Sequence, residues 1–280
     1  MPLLTALTFS RSRDFSARAR ALGTFIGSVI RWFPPATRRV DREVLRVFPH
    51  MARSDRLELG QSMGRNMGQT LYEIYHCAEF QTLVHKFSAT GPGLVALEEA
   101  HAAGRGAVIV SGHFGQWEAI RAVLRSRGIE TGAVYRPQKN RHYQRRLLAG
   151  IEAGGKPIFS TGEKGTRELV RHLRQGGFVA ILLDEKSADG VSMPFLGHNA
   201  LTSLSAARLA LKYDVPLVPA YGTRIGTGGQ FAVDFEEPIP QSDAVTMTEA
   251  FNASLSKRIL ETPDQWYWML RRWQGAQDPR

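Results

Sequence analysis

A chain of 280 residues of which 43% are apolar can build a sizeable core, as one large domain or one domain with a helical extension, and this excludes a disordered protein. Its single cysteine, Cys77, excludes an intramolecular disulfide framework and a multi-cysteine metal site and fits a reducing compartment; it reads as a small buried hydrophobe. The net charge of +10 is concentrated at the amino end, where residues 1–53 hold ten arginines against Asp14, Asp41 and Glu43. No helix-turn-helix, zinc-finger or RNA-recognition signature accompanies it, so no nucleic acid partner is expected.

In chain order, residues 1–90 read as helical. The uncharged run 21–30, between Arg20 and Arg31, leads into Trp32 and Phe33 and falls far short of the ~20 apolar residues that span a bilayer. It also lacks the long apolar core and small-residue cleavage site of a signal peptide, so the protein is expected to stay in the cytoplasm. Arginines around an aromatic-bearing amphipathic segment suit adsorption to an anionic membrane surface; the other reading is a surface helix packed on the domain. Pro34-Pro35 breaks the segment, and helices near 39–48 and 54–79 follow, with no strong strand signal. From Gly104 the pattern becomes short β-rich runs, at 107–111, 132–135, 157–159, 179–183, 217–223 and 231–235. Between them lie helical stretches near 117–127, 140–153, 163–175 and 203–213. The alternation predicts an α/β fold with a mostly parallel central sheet covered by helices and an N-terminal helical extension. The expected division is a helical membrane-surface segment over 1–90 packed on an α/β core over 91–280, in one continuous domain.

The run Val108-Ile109-Val110-Ser111-Gly112-His113-Phe114-Gly115-Gln116-Trp117-Glu118 carries the sharpest chemical signal. A buried-type strand ends in a turn that delivers a histidine, and a carboxylate follows five residues later at the start of a helix. Such placement at the carboxyl end of a strand is where α/β proteins put reacting groups, and a helix N-terminus favours developing negative charge. The pair reads as a base with an orienting partner. His50 and Asp55 repeat the spacing, but no strand feeds them, so His50 reads as a loop histidine.

Other polar groups leave predicted strands at the same end. Arg136, in Tyr135-Arg136-Pro137-Gln138-Lys139-Asn140, either forks onto a phosphate or carboxylate or is a solvated loop arginine. Asp184-Glu185-Lys186 forms either a polar network around a hydroxyl-bearing substrate or a charged strand exit. The turn Pro194-Phe195-Leu196-Gly197 either presents apolar surface to a chain or anchors a loop. Thr202 or Ser203 is available to cap the following helix. Arg224 ends another strand, and 226–229 reads as a hairpin turn. The tail from Pro263 to Trp273, with four aromatics among two arginines, reads as a core-closing or an interfacial helix. HExxH, a Walker loop, a dinucleotide fingerprint and a GxSxG elbow are all absent from the sequence, and no metal constellation is expected.

In combination and order these pieces resemble the bacterial lipid A biosynthesis acyltransferases of the lauroyl and myristoyl type, a branch of the glycerophospholipid and lysophospholipid acyltransferases. The resemblance runs from about residue 38 to 273. It rests on Gly112 to Glu118, Tyr135-Arg136-Pro137 with Asn140, Asp184, Gly190-Val191, Pro194 to Gly197, Ala200 with Thr202, and Pro263-Asp264-Gln265-Trp266, preceded by Arg46-Val47-Phe48-Pro49. It implies a glycerophospholipid-acyltransferase-like fold in which His113 is the general base and Glu118 its carboxylate partner. His113 would take the proton of an acceptor hydroxyl attacking an acyl thioester, with no acyl-enzyme, a contribution of about 10²–10⁴-fold. Gly115, Trp117, Arg136, Asn140, Asp184 and Thr202 are the candidate substrate-binding residues within these motifs, with Glu185 and Arg224 added from their strand exits; the resemblance implies that Arg136 holds a phosphate, and backbone N–H groups from Gly112 to Gly115 would serve the oxyanion.

No cofactor is implied beyond a thioester of acyl carrier protein or CoA as co-substrate. The implied partners are acyl carrier protein, a membrane lipid acceptor and an anionic membrane surface, at the cytoplasmic face of the inner membrane in peripheral or monotopic form. Glu185, Ser205 and Leu270 stand where the family usually has Gln, Gly and His, and the family's N-terminal transmembrane helix is reduced to a short segment. The acceptor is therefore left open among a lipid A precursor or related membrane lipid, an aminolipid, another glycolipid and a natural product. A non-catalytic lipid-binding scaffold is the reading from a different class.

Overall fold

The computed structural model describes residues 14–138 and 140–275; residues 1–13 of the expected surface-binding segment, and Lys139, lie outside the described residues. Three helices come first, α1 (Phe15–Trp32), α2 (Pro34–Val47) and α3 (Arg53–Tyr75), followed by the short α4 (Cys77–Gln81). The first helix ends at Trp32, as the Pro34-Pro35 break predicts, but the next begins at the prolines and not near residue 39. The pair starts α2, as proline can at the first helical positions, where an N–H has no partner to lose. α1 lies along α3 on a seam of glycines: a Cβ on Gly64 would sit 2.8 Å from the Gly27 Cα, and one on Gly68 the same distance from the Gly23 Cα. The two backbones approach too closely there for any side chain to stand between them, and α1 is thereby packed on the protein.

The sheet follows as β1 (Phe87–Thr90), β2 (Ala107–Ser111), β3 (Thr131–Tyr135), β4 (Ile158–Ser160), β5 (Phe178–Leu182), β8 (Leu217–Ile225) and β9 (Gln230–Phe235), in the spatial order β1-β9-β8-β2-β5-β3-β4. All neighbouring pairs are parallel except β8 with β9, whose turn at 226–229 makes the expected hairpin. The mostly parallel α/β sheet matches the sequence reading. A two-stranded hairpin of β6 (Val191–Phe195) and β7 (His198–Thr202) was not expected. Its turn puts Leu196 and Gly197 at positive φ, and Phe195 and Leu196 are buried in the core, so this turn anchors and presents no apolar surface.

Helices α5 (Pro92–Ala102) and α6 (Glu118–Ser126) cover one face of the sheet and α8 (Glu163–Arg174), α9 (Ser205–Tyr213) and α10 (Ala244–Glu261) the other. Connecting β3 to β4 is α7 (Arg141–Gly154), which packs on α3 closely enough that a Cβ on Gly150 would meet the Ile74 carbonyl at 2.1 Å. The two strand faces separate two cores. Val108 and Val110 point into one, with Leu173, Phe251 and Leu255; Ala107 and Ile109 point into the other, with Leu97 and Ala119. Sequence reading missed β1, a four-residue strand in a region otherwise helical, and passed over α5 and α10. The tail is no helix: after a single turn at Pro263–Gln265 it places Trp266, Trp268 and Trp273 in the core.

Candidate active site

Strand β2 is buried at every position and lies between β8 and β5, so its carboxyl end opens at the centre of the sheet. Ser111 pairs in register with Leu182 of β5, and the Leu183 N–H donates to the Ser111 carbonyl at 2.9 Å. Two parallel strands leaving the sheet in step bring the residues two positions on face to face. His113 Nδ1 is 2.8 Å from Asp184 Oδ1, and the His113 backbone N–H donates to Asp184 Oδ2 at 2.7 Å. Trp266 Nε1 donates to the same Oδ2 at 2.8 Å. Gly112 permits this closure, because a Cβ there would stand 2.9 Å from Asp184 Oδ2 and 2.7 Å from Leu255 Cδ2.

The carboxylate on the imidazole is therefore Asp184, where the sequence spacing had suggested Glu118. Glu118 begins α6, which turns its carboxylate away toward Arg121 one turn later, at 2.7 Å, and both side chains are buried. Spacing along the chain could not decide between the two carboxylates, since Asp184 is 71 residues from His113 and meets it only through the β2–β5 pairing.

Burial by itself lowers an imidazole pKa, but the charge and hydrogen bond of Asp184, with Glu185 adding to them, hold His113 above its ordinary 6.5. Burial by itself raises a carboxyl, yet the imidazole, Trp266 Nε1 and the His113 N–H together keep Asp184 below its ordinary value. Asp184 thus stays an anion that accepts from Nδ1–H, which leaves Nε2 as the lone-pair nitrogen. The Glu118 carboxyl is pushed up by its burial, against the pull of Arg121. Burial, with Glu118 nearby, also pushes the Cys77 thiol up to about 12, and the cysteine is the inert core residue expected.

His113 lies at the mouth of a cavity of about 630 Å³. Trp117, its ring edge-on to the imidazole at 5.2 Å, and Arg136, Glu185 and Lys186 share the mouth; the inner walls are apolar, from Met67, Leu71 and Ile74 of α3 and Leu147 and Ile151 of α7. Arg136 forms an ion pair with Glu185 at 2.9 Å across the mouth.

Other residues singled out in the sequence serve the scaffold. Asn140 caps α7, its Oδ1 accepting from the N–H groups of His142 and Tyr143. Thr202 is fully buried and caps no helix; its hydroxyl accepts from Arg272, a buried guanidinium that also donates to the Leu201 carbonyl and lies over the Phe195 ring. Ser203 Oγ accepts from the Ser205 N–H at 3.2 Å. Arg224 does not face the cavity: it is buried in a two-pronged ion pair with Glu73, at 2.7 Å on each arm. Glu73 also takes the Gln116 amide, while Thr70 donates to the Gly115 carbonyl. This network fixes the turn after His113, in which Gly115 has φ +55° and a Cβ would meet the Gly222 carbonyl at 2.1 Å. The N–H groups of His113 and Gly115, expected to face an oxyanion, already donate to Asp184 and to the Gln265 carbonyl. Among the described residues, no group of three or more His, Cys, Asp or Glu side chains forms a metal site.

Glu73 and Trp266 were the functional neighbours that sequence reading did not assign. Trp266 carried a signal, as a tryptophan in a tail motif whose indole N–H needs a partner once buried; Glu73, one acid in a long helix, carried none.

The phosphatidylinositol mannoside acyltransferase of Mycobacterium tuberculosis (strain ATCC 25618 / H37Rv) is 26% identical over 185 residues, covering 65% of this chain and 58% of that protein. This chain thus matches somewhat under two thirds of the mycobacterial relative's length. A lipid A biosynthesis acyltransferase of Haemophilus influenzae is 22% identical over 231 residues, 80% of this chain and 71% of the other. The sequence pattern of bacterial lipid A biosynthesis acyltransferases matches residues 15–275, which takes in the histidine turn, the β5 exit with Asp184 and the Trp266 tail, and the chain belongs to that family.

Proposed function

We propose that the protein transfers a fatty acyl group from a thioester to a hydroxyl of a membrane-lipid acceptor, with His113 as general base and Asp184 as its orienting partner. The observation that carries this reading is the His113–Asp184 contact at the mouth of an apolar chamber. Asp184 holds the proton on Nδ1. Nε2 takes the proton from the acceptor hydroxyl as its oxygen attacks the thioester carbonyl, the C–S bond breaks, and the imidazolium returns the proton to the departing thiolate. No acyl-enzyme is formed. The acyl chain lies between α3, α7 and the sheet, and Trp117 walls the reacting carbon from water.

The donor in this reading is an acylated acyl carrier protein, with acyl-CoA as the second candidate; Arg136 and Lys186 at the mouth suit the phosphate of either phosphopantetheine arm. The acceptor is a lipid A precursor or a related membrane lipid. The name of the mycobacterial relative supports a glycolipid other than lipid A as the alternative. The enzyme would work peripherally at the cytoplasmic face of the inner membrane. In support, no helix among the described residues is long and apolar enough to cross a membrane, and the α1–α2 corner exposes Trp32 at 75% and Phe33 at 55%.

The test is mass spectrometry of total lipids, lipid A included, from host cells lacking the gene and complemented with wild type or His113→Ala. A lipid gaining one acyl mass only with wild type is expected, and it would name acceptor and chain together. The same lipid formed with His113→Ala would remove the proposed base.

A further inference from the structure

The Glu118–Arg121 ion pair is tied into the protein at one end of the apolar chamber, and the strand register shows which end. Ser111 and Leu182 are in register at the carboxyl edge of the sheet, where His113 stands, and Tyr135 of β3 lies at that edge too. All three line the chamber. One alternation inward, roughly 7 Å along the strands, Ile109, Ala180 and Ala133 form the next row across β2, β5 and β3, and they line it as well. The row after that is Ala107, Phe178 and Thr131, none of which reaches the chamber. It is here that Arg121 is fastened, with Nε donating to the Thr131 carbonyl at 3.0 Å. The chamber runs from His113 inward over two alanines and stops at the level of this guanidinium.

Arg121 has little freedom to yield. Besides Thr131 it donates to Glu118 at 2.7 Å, to the Ile151 carbonyl at 3.2 Å and to the Gly155 carbonyl at 2.5 Å, so four of its five N–H groups are committed. Behind the pair there is no room: a Cβ on Gly154 would lie 2.5 Å from Glu118 Oε2 and 3.2 Å from Cys77 Sγ. With its charge matched by Glu118 and its donors spent on carbonyls, the guanidinium is a wall and not an anion site.

We propose that the buried Glu118–Arg121 pair is the polar floor of the acyl chamber and sets the longest chain the protein accepts. This rests on the acyl-transfer reading above. Each methylene buried in an apolar chamber favours binding by about fourfold. Displacing one member of a buried ion pair opposes it by on the order of 10²–10³-fold. One further methylene cannot offset that, so the cut-off is abrupt, whereas a floor of flexible apolar side chains would give way gradually. Ala133 and Ala180 keep the sheet side of the chamber open, and a larger residue at either would bring the stop nearer the mouth.

The experiment measures dissociation constants of saturated acyl-CoAs from octanoyl to stearoyl by calorimetry, with wild type, with Glu118→Leu/Arg121→Met and with Ala133→Leu. Exchange of both partners of a buried ion pair for apolar side chains of similar size is the change a fold best tolerates. Wild type is expected to tighten by about fourfold per methylene up to one length and to gain nothing beyond it. The double variant should keep tightening past that length, and Ala133→Leu should stop short of it. An unchanged break point in a folded double variant, or in Ala133→Leu, overturns the proposal while the acyl-transfer reading stands. If the double variant does not fold, Ala133→Leu decides alone. No binding of any chain to wild type, either as acyl-CoA or as the same chains carried on acyl carrier protein, would overturn both.

Discussion

At the scale of single residues, the site divides its polar groups between chemistry and support. His113 and Asp184 face each other at the chamber mouth, while Asn140 and Thr202, picked out by the resemblance, and Arg224, picked out at a strand end, hold a helix start, a buried arginine and a turn. A motif records that a residue type is required without saying whether substrate or scaffold requires it. The His113–Asp184 contact has a pH signature. A general base works only when neutral, so activity falls as pH drops through the His113 pKa; Asp184 holds that pKa above 6.5, and the acid limb of kcat/KM is expected above pH 6.5. Asp184→Asn removes the anion that favours the imidazolium, so the limb should move to lower pH while the maximal rate falls by about 10²–10⁴-fold. A pH–rate profile of the variant checks both; an acid limb left where wild type has it would separate Asp184 from the base.

At the scale of elements, two devices deserve comparison, because one was visible in the sequence and the other was not. The strand-turn-helix from Val108 to Glu118 is local, written as an apolar run, a glycine turn and a helix start, and it folds as read. The α1–α3 seam is not local. Gly23, Gly27, Gly64 and Gly68 look in the sequence like weak helix positions, and only the paired helices show that each leaves space for the opposite backbone. Gly64→Val therefore has opposing effects. It exchanges a glycine's intrinsic helix penalty for valine's smaller one, a gain of only about 0.3–0.5 kcal/mol, but its branched Cβ meets Gly27 backbone, for which overpacking costs typically about 1–3 kcal/mol. The steric term should win, since backbone cannot rotate away. Thermal unfolding should show a lower Tm and limited proteolysis an earlier cut near α1; an unchanged Tm would mean that α1 shifts without cost.

At the scale of the whole molecule, the glycine seam has an outward consequence. With one face of α1 committed to α3, Phe25 and Trp32 lie on the other, and the turn into α2 adds Phe33, Pro34 and Pro35 to the same exposed corner. From residue 15 to 40 the chain has no acidic residue, and the Arg31 guanidinium lies over the Trp32 ring at 5.2 Å. Packing on the protein and adsorption to a membrane, set against each other by the sequence, are compatible uses of two faces of one helix. Trp32→Ser/Phe33→Ser should weaken binding to vesicles containing phosphatidylglycerol by about 10²–10⁴-fold, because burial of each ring in the interface contributes about 1.5–3 kcal/mol. Its stability should stay within about 0.5 kcal/mol of wild type, both side chains being exposed. Vesicle co-sedimentation checks this, and unchanged partitioning would place membrane contact elsewhere.

By itself the sequence determined what depends on neighbours along the chain: the alternation of strands and helices, the amphipathic character of α1, the hairpin at 226–229 and the turn that presents His113. Periodicity and turn chemistry act over a few residues, so they can be read without a fold. The tertiary structure alone decided which carboxylate meets the histidine, because that follows from the β2–β5 register and not from spacing. It likewise decided that Arg224 is matched by Glu73 across 151 residues, and that Glu118 turns inward to Arg121. A charge that must be buried takes whichever opposite charge the packing brings within reach, and distance along the chain does not enter that choice.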